Sequence, residues 1–116
     1  MNLKLIMALV DEEKTEAVMN AARKAGATGA TVITSGRGEG LKPEKTFLGL
    51  DLSAHRDVLL FLVVEARARE ILETIAAAGN FDDEPGAGIA FEIAIEDAVG
   101  LKTQAATLLN EIEEDQ

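Results

Sequence analysis

Apolar residues dominate positions 3–10, where only Lys4 interrupts Leu3, Leu5, Ile6, Met7, Ala8, Leu9 and Val10. A near-continuous apolar run of this length predicts a strand buried on both faces. The rhythm then changes to helical spacing, with Val18, Ala21, Ala22 and Ala25 forming a narrow apolar stripe. Asp11 stands where it can cap that helix, and Glu12 and Glu13 suit its positive N-terminal end. Gly26 provides the usual glycine stop, and residues 30–35, rich in Thr, Val and Ile, predict a second strand. The pattern then recurs. Residues 58–64 are a second continuous apolar run, and residues 65–78 form a helix with Ile71, Leu72, Ile75 and Ala78 on one face, ended by Gly79. Residues 89–95 alternate, with Ile89, Phe91, Ile93 and Ile95 facing one way and Ala90, Glu92 and Ala94 the other.

The predicted order is βαββαβ. Two right-handed crossovers put both helices on one face of a four-stranded antiparallel sheet, an α+β ferredoxin-like sandwich. The two apolar runs become its central strands, and their side chains alternate between the sheet's faces. Two helices cover only one face, so the other is an apolar patch too large for a typical monomer. A homo-oligomer is therefore expected. Leu101, Ala105, Leu108, Leu109 and Ile112 make an amphipathic C-terminal helix that can dock on a neighbour or on its own sheet. The expected organisation is one domain over residues 1–100, with a C-terminal loop, helix and acidic tail over 101–116.

Charge narrows the partners. The net charge of −10 and the absence of Trp and Tyr argue against nucleic acid, where Lys and Arg must neutralise phosphates. With no cysteine, thiol chemistry and thiolate metal sites are excluded. No apolar run approaches a membrane span, and the chain enters its first strand without a signal-peptide pattern, so a cytoplasmic location is expected.

Candidate chemistry gathers at two glycine signatures beside strands. One is Thr31-Val-Ile-Thr-Ser-Gly36-Arg37-Gly38-Glu39-Gly40; the other is Glu84-Pro85-Gly86-Ala87-Gly88-Ile89. Between the halves, residues 36–57 form a long connection of the kind that is often functional. Its second part, residues 47–52, alternates and predicts an extension of the sheet at its edge. Arg37 can pair an anion bidentately. Asp82, Asp83 and Glu84 carry hard-cation ligands, but their spacing fits no calcium loop and reads more simply as a solvated acidic turn. His55 is the only histidine, with Ser53 as its one close nucleophile, which is thin support for catalysis. Arg67 and Arg69, with Glu70 and Glu73, read as ordinary helix-surface charges.

The order and spacing of three markers resemble the PII signalling superfamily, and more closely its PII-like members. The markers are Gly29-Ala-Thr31-Val32 leading to Gly36-Arg-Gly38, then Pro85-Gly-Ala-Gly-Ile-Ala-Phe91, then Ile95-Glu-Asp-Ala-Val-Gly-Leu101. The resemblance implies a non-enzymatic homotrimer of signalling type that binds a small effector, usually an adenine nucleotide, in clefts between subunits. It implies a flexible T-loop over 36–54, a B-loop over 80–88, and a C-terminal loop from residue 100 onward supplied by the neighbour. Carried over residue by residue, the ligand-binding set is Thr31, Gly36, Arg37, Gly38, Gly86, Ala87, Gly88 and Lys102. Gly86 and Gly88 would offer backbone N–H groups to a phosphate. The T-loop residues Gly40, Lys42, Lys45 and Phe47 would face a target protein such as a membrane transporter.

The departures sharpen the expected ligand. Ile89 stands where the best-known members have a lysine, and Gly100 and Lys102 stand where they have two arginines. The acidic run 82–84 repels negative charge by about 1 kcal/mol per close pair in water. A ligand with fewer phosphates than ATP, a metal-bridged one or a non-nucleotide anion is therefore expected, with ADP or AMP as the effector that the resemblance favours and no cofactor. A T-loop switch by tyrosine uridylylation is excluded, because the chain has no tyrosine. Two other readings on the same fold compete. One is a CutA-like metal-binding trimer; the other is an acylphosphatase-like enzyme, for which Arg37 is a weak match.

Overall fold

The computed structural model describes residues 2–34, 46–47, 50–51 and 56–100. They form β1 (Leu3–Asp11), a 3-10 turn (Glu12–Lys14), α1 (Thr15–Lys24), β2 (Thr28–Thr34), the short strands β3 (Thr46–Phe47) and β4 (Leu50–Asp51), β5 (Arg56–Val64), α2 (Glu65–Gly79) and β6 (Gly88–Ala94). The main sheet has the order β2-β5-β1-β6, antiparallel throughout. This is the ferredoxin-like sandwich that the apolar rhythm predicted.

The register explains why the two apolar runs are central. Ile6 lies opposite Phe61 and Ala8 opposite Leu59, so their side chains share one face. That face is dry: Ile6, Ala8, Val10, Leu59, Phe61 and Val63 are all fully buried against Val18 and Ala22 of α1 and Ala68, Ile71 and Ile75 of α2. Each large apolar side chain removed from water in this way contributes about 1.5–3 kcal/mol. The other face is apolar but only half covered. Leu5, Met7, Val58, Leu60, Leu62 and Val64 are half-buried there, while Ile33 is 50% and Ile93 38% exposed.

Several local expectations need correction. Asp11 caps the 3-10 turn rather than α1, accepting the Glu13 N–H at 3.0 Å, so α1 proper begins at Thr15. Gly26 does end α1. At φ +106° it allows Gly26 N–H to reach Arg23 O at 3.0 Å and Ala27 N–H to reach Ala22 O at 2.9 Å, satisfying two orphan carbonyls. In α2 that task falls to Asn80, not Gly79: Asn80 takes φ +56° and Phe81 N–H bonds Ala76 O at 3.0 Å. Gly79 is a buried helical residue whose missing Cβ makes room for the Phe81 ring. Ala78 is exposed, and Ala68 completes the buried stripe with Ile71 and Ile75.

Residues 47–52 do not extend the main sheet among the described residues. Phe47 pairs with Leu50, so β3 and β4 satisfy each other as a separate hairpin. Arg67 is not a plain surface charge either. Its guanidinium donates to Ala25 O at 3.3 Å and closes over the C-terminus of α1. Arg69 behaves as expected, bonding Glu73 one turn away at 2.9 Å. The expected C-terminal helix and tail over 101–116 lie outside the described residues. No described helix is long and apolar enough to cross a membrane.

Candidate functional site

One end of the sheet collects the candidate chemistry. Thr34, Asp57, Val10 and Gly88 lie side by side there on β2, β5, β1 and β6. The 35–55 segment therefore leaves and rejoins the sheet at the same end as the 80–87 turn. Three strand spacings of ~4.8 Å put the two outer strands of this row roughly 14 Å apart.

The 80–87 turn is tied down by its own backbone and by three neighbours. Glu84 N–H bonds Asn80 O at 3.0 Å, and Ala87 N–H bonds Glu84 O at 3.1 Å. Asp11 N–H, at the end of β1, bonds Ala87 O at 3.1 Å. Arg56, the first residue of β5, donates to Gly86 O at 2.7 Å. Lys14, in the 3-10 turn, pairs with Glu84 at 3.1 Å. Beside these, Thr15 Oγ1 at the start of α1 donates to the carboxylate of Asp57 at 2.6 Å. Arg56 and Asp57 are both buried, at 5% and 8% exposure.

Within this frame the expected ligand residues occupy distinct positions. Gly86 is exposed, with φ +81°, a conformation that favours glycine. Ala87 is 1% exposed, and both its backbone groups are engaged, its N–H by Glu84 O within the turn and its carbonyl by the Asp11 N–H of β1. Gly88 lies where a Cβ would stand 2.5 Å from the Phe81 ring and 2.8 Å from Leu9 O, so its lack of a side chain has a packing cause. The Asp11–Ala87 bond makes Val10–Gly88 a pair without mutual hydrogen bonds, so the Gly88 N–H turns away from β1 toward the sheet's edge. Thr31 is exposed on β2 and pairs with Leu60. It therefore sits at the edge opposite β6, and one subunit does not bring it to Gly86 or Gly88. Gly36, Arg37, Gly38, Gly40, Lys42, Lys45, His55 and Lys102 lie outside the described residues, and Phe47 is described only as backbone in β3.

Two hollows open on the described surface. The smaller, about 270 Å³, adjoins the turn between α2 and β6 and is lined by Leu72, Ala76, Phe81, Gly88, Ile89 and Ala90, with Arg69, Glu73 and Asp82. The larger, about 900 Å³, lies at the far end of the sheet against residues 2–4 and 95–100. Size favours the second, but chemistry does not. The only cation among its described lining residues, Lys4, is 3.8 Å from Glu65, and Glu96 and Asp97 add further negative charge. The 80–87 turn is also acidic: Asp82 and Asp83 are exposed, Glu84 is paired with Lys14, and Arg69 beside the smaller hollow is paired with Glu73. Among the described residues no three His, Asp or Glu side chains gather as metal ligands would.

Arg56, Asp57, Thr15 and Lys14 did not stand out in the sequence. The available signal was a charged pair, Arg56-Asp57, directly abutting an apolar run buried on both faces.

The model of the family Nitrogen regulatory protein P-II matches residues 3–105, nearly the whole chain. The chain belongs to that family. It has the fold of solved PII-like proteins. CPII from Thiomonas intermedia K12, solved bound to ADP, AMP and acetate, superposes with a TM-score of 0.61 at 19% identity over 86% of this chain and 92% of that one. The same CPII bound to ADP, AMP and bicarbonate gives 0.59 at 18% identity, covering 88% and 97%. A PII-like signaling protein from Thermus thermophilus gives 0.55 at 24% identity, covering 88% and 98%. At these identities the likeness speaks to the fold. No curated protein sequence matches the chain closely enough to count as a relative.

Proposed function

We propose that this PII-like protein senses ADP or AMP at the 80–88 B-loop, in clefts between the copies of a cytoplasmic homotrimer, and signals through the 36–54 T-loop to a partner protein such as a transporter. The observation that carries the reading is the meeting of the two loops' roots at one end of the sheet. Gly86 is exposed there in a left-handed turn, and the Gly88 N–H faces the sheet's edge. Thr31 and Gly88 occupy opposite edges of one sheet, so a cleft that uses both must lie between copies. The half-covered apolar face, with Ile33 and Ile93, supplies the surface on which copies associate. Lys102 would join the cleft from a neighbour.

CPII, which shares this fold, was solved with ADP and AMP bound. Charge at the turn favours the same class of ligand here. Asp82 and Asp83 are exposed, and among the described residues only Glu84 is offset, by Lys14. Ile89 adds no cation. Each further phosphate therefore meets more repulsion, which places ADP and AMP ahead of ATP.

Calorimetry at a fixed protomer concentration tests this reading. ADP and AMP should bind saturably with one site per chain, more tightly than ATP, and be recovered unchanged. Heat from divalent metals alone, with none from the three nucleotides, would favour the CutA-like reading instead. Steady turnover of an acyl phosphate would favour the enzyme.

A further inference from the structure

Arg56 is a charged residue in a position that usually excludes charge. It opens β5 opposite Asp11 and is only 5% exposed. A guanidinium is costly to remove from water unless its donors are matched. Its Nη1 meets Gly86 O at 2.7 Å, the short distance of a charge-assisted bond, and its Nη2 lies 3.8 Å from where a Gly86 Cβ would stand. The next residue, Asp57, holds Thr15 at 2.6 Å. Two consecutive residues thus tie the start of β5 to the 80–87 turn on one side and to α1 on the other.

The bond to Gly86 has a directional effect. The Gly86 carbonyl and the Ala87 N–H belong to one planar peptide unit. Arg56 holds its oxygen, and Glu84 O holds its hydrogen at 3.1 Å. With both ends gripped, the plane is fixed, and so is the left-handed turn at Gly86. The grip reaches across 30 residues of sequence to the root of the other loop, because Asp57 pairs with Thr34, the last residue of β2.

We propose that Arg56 is the positioning residue of the anion cradle: it sets the Gly86–Ala87 peptide, and a shift at the start of β5 moves the cradle with it. The ligand half of this proposal rests on the nucleotide reading above. The geometric half does not. Lysine at 56 would supply a point charge but lose the planar fork, so it should restore the function only in part.

The test uses the full chain as wild type, Arg56→Gln and Arg56→Lys, with two readouts. The first is amide exchange without ligand; the second is ADP affinity by calorimetry. In Arg56→Gln the Ala87 amide should exchange about tenfold faster or more, and ADP affinity should fall by about tenfold, the loss expected for one charge-assisted bond. Ile6 and Phe61 amides in the core should keep their protection, and Arg56→Lys should fall between wild type and Arg56→Gln. Unchanged Ala87 exchange in Arg56→Gln overturns the proposal. So does equal acceleration at Ile6 and Phe61, which would make Arg56 a general stabiliser. Should Arg56→Gln not fold, Arg56→Lys decides: selective loosening of Ala87 supports the proposal, and wild-type exchange there refutes it. A wild type that binds neither ADP nor AMP defeats the nucleotide reading, while the Ala87 comparison still decides the role of Arg56.

Discussion

Gly88→Ala separates a packing requirement from a ligand-binding one. The added methyl would meet Phe81 Cε1 at 2.5 Å and Leu9 O at 2.8 Å, both inside the closest approach of real Cβ atoms. The ring can swing, although Gly79 already limits it from the other side; the Leu9 carbonyl belongs to a central strand and cannot. Overpacking of this kind costs about 1–3 kcal/mol. Replacing a strand glycine returns about 0.5–1 kcal/mol of backbone entropy. Because the Leu9 carbonyl cannot give way, the upper part of the overpacking range, about 2–3 kcal/mol, applies, and the net loss is about 1–2.5 kcal/mol. A chain of 116 residues lies between the smaller and larger domain classes, at roughly 3–6 °C per kcal/mol, so the melting midpoint should drop by about 3–15 °C. Thermal melts without nucleotide, at matched protomer concentration, measure this directly. Phe81→Leu in the same chain should recover part of the loss but not all, since Leu9 O stays in place. A Gly88→Ala midpoint within about 1 °C of wild type would refute the reasoning.

Three further outcomes follow from the contacts described. Thr15→Val removes the hydroxyl that bonds Asp57 at 2.6 Å and leaves a buried carboxylate short of a donor, so urea unfolding should show a loss of about 1.5–3 kcal/mol. Arg67→Ala should cost about 1 kcal/mol by the same assay, because it opens the Ala25 carbonyl at the end of α1; an unchanged midpoint would return Arg67 to the status of a surface charge. Ile33→Asp combined with Ile93→Asp, on the open sheet face, should lower the molar mass in light scattering to that of one chain while the circular dichroism spectrum stays that of a folded protein. An unchanged mass would place the subunit interface elsewhere.

The central strands were legible because burial on both faces leaves an unbroken apolar record, as residues 3–10 and 58–64 show. Their ends were not. β5 begins two residues earlier than its apolar run, since Arg56 and Asp57 are carried into the sheet by partners 30 and 42 residues away in sequence. No local pattern reports such a bond. Helix ends show the same limit: Gly26 acts as its type predicts, but at α2 an asparagine takes the left-handed position and the adjacent glycine serves the Phe81 ring. The Gly86-Ala87-Gly88 signature was legible as a glycine-rich turn beside a strand. It was not legible as a mechanism, because the roles of the three residues differ. Gly86 is exposed, Ala87 is spent on internal bonds, and Gly88 is packed beneath a ring with its N–H toward the edge. The acidic run 82–84 also proved unequal among the described residues, since Lys14 pairs with Glu84.

Sensing of adenine nucleotide at the B-loop is tested most directly by amide exchange of the wild-type chain with and without saturating ADP. The account predicts slower exchange at Gly86 and Gly88, whose N–H groups would meet the phosphates, and little change in the far hollow at Leu3, Lys4 and residues 95–97. Slowing confined to those far-hollow residues, or no slowing anywhere at a concentration that saturates binding, would contradict it.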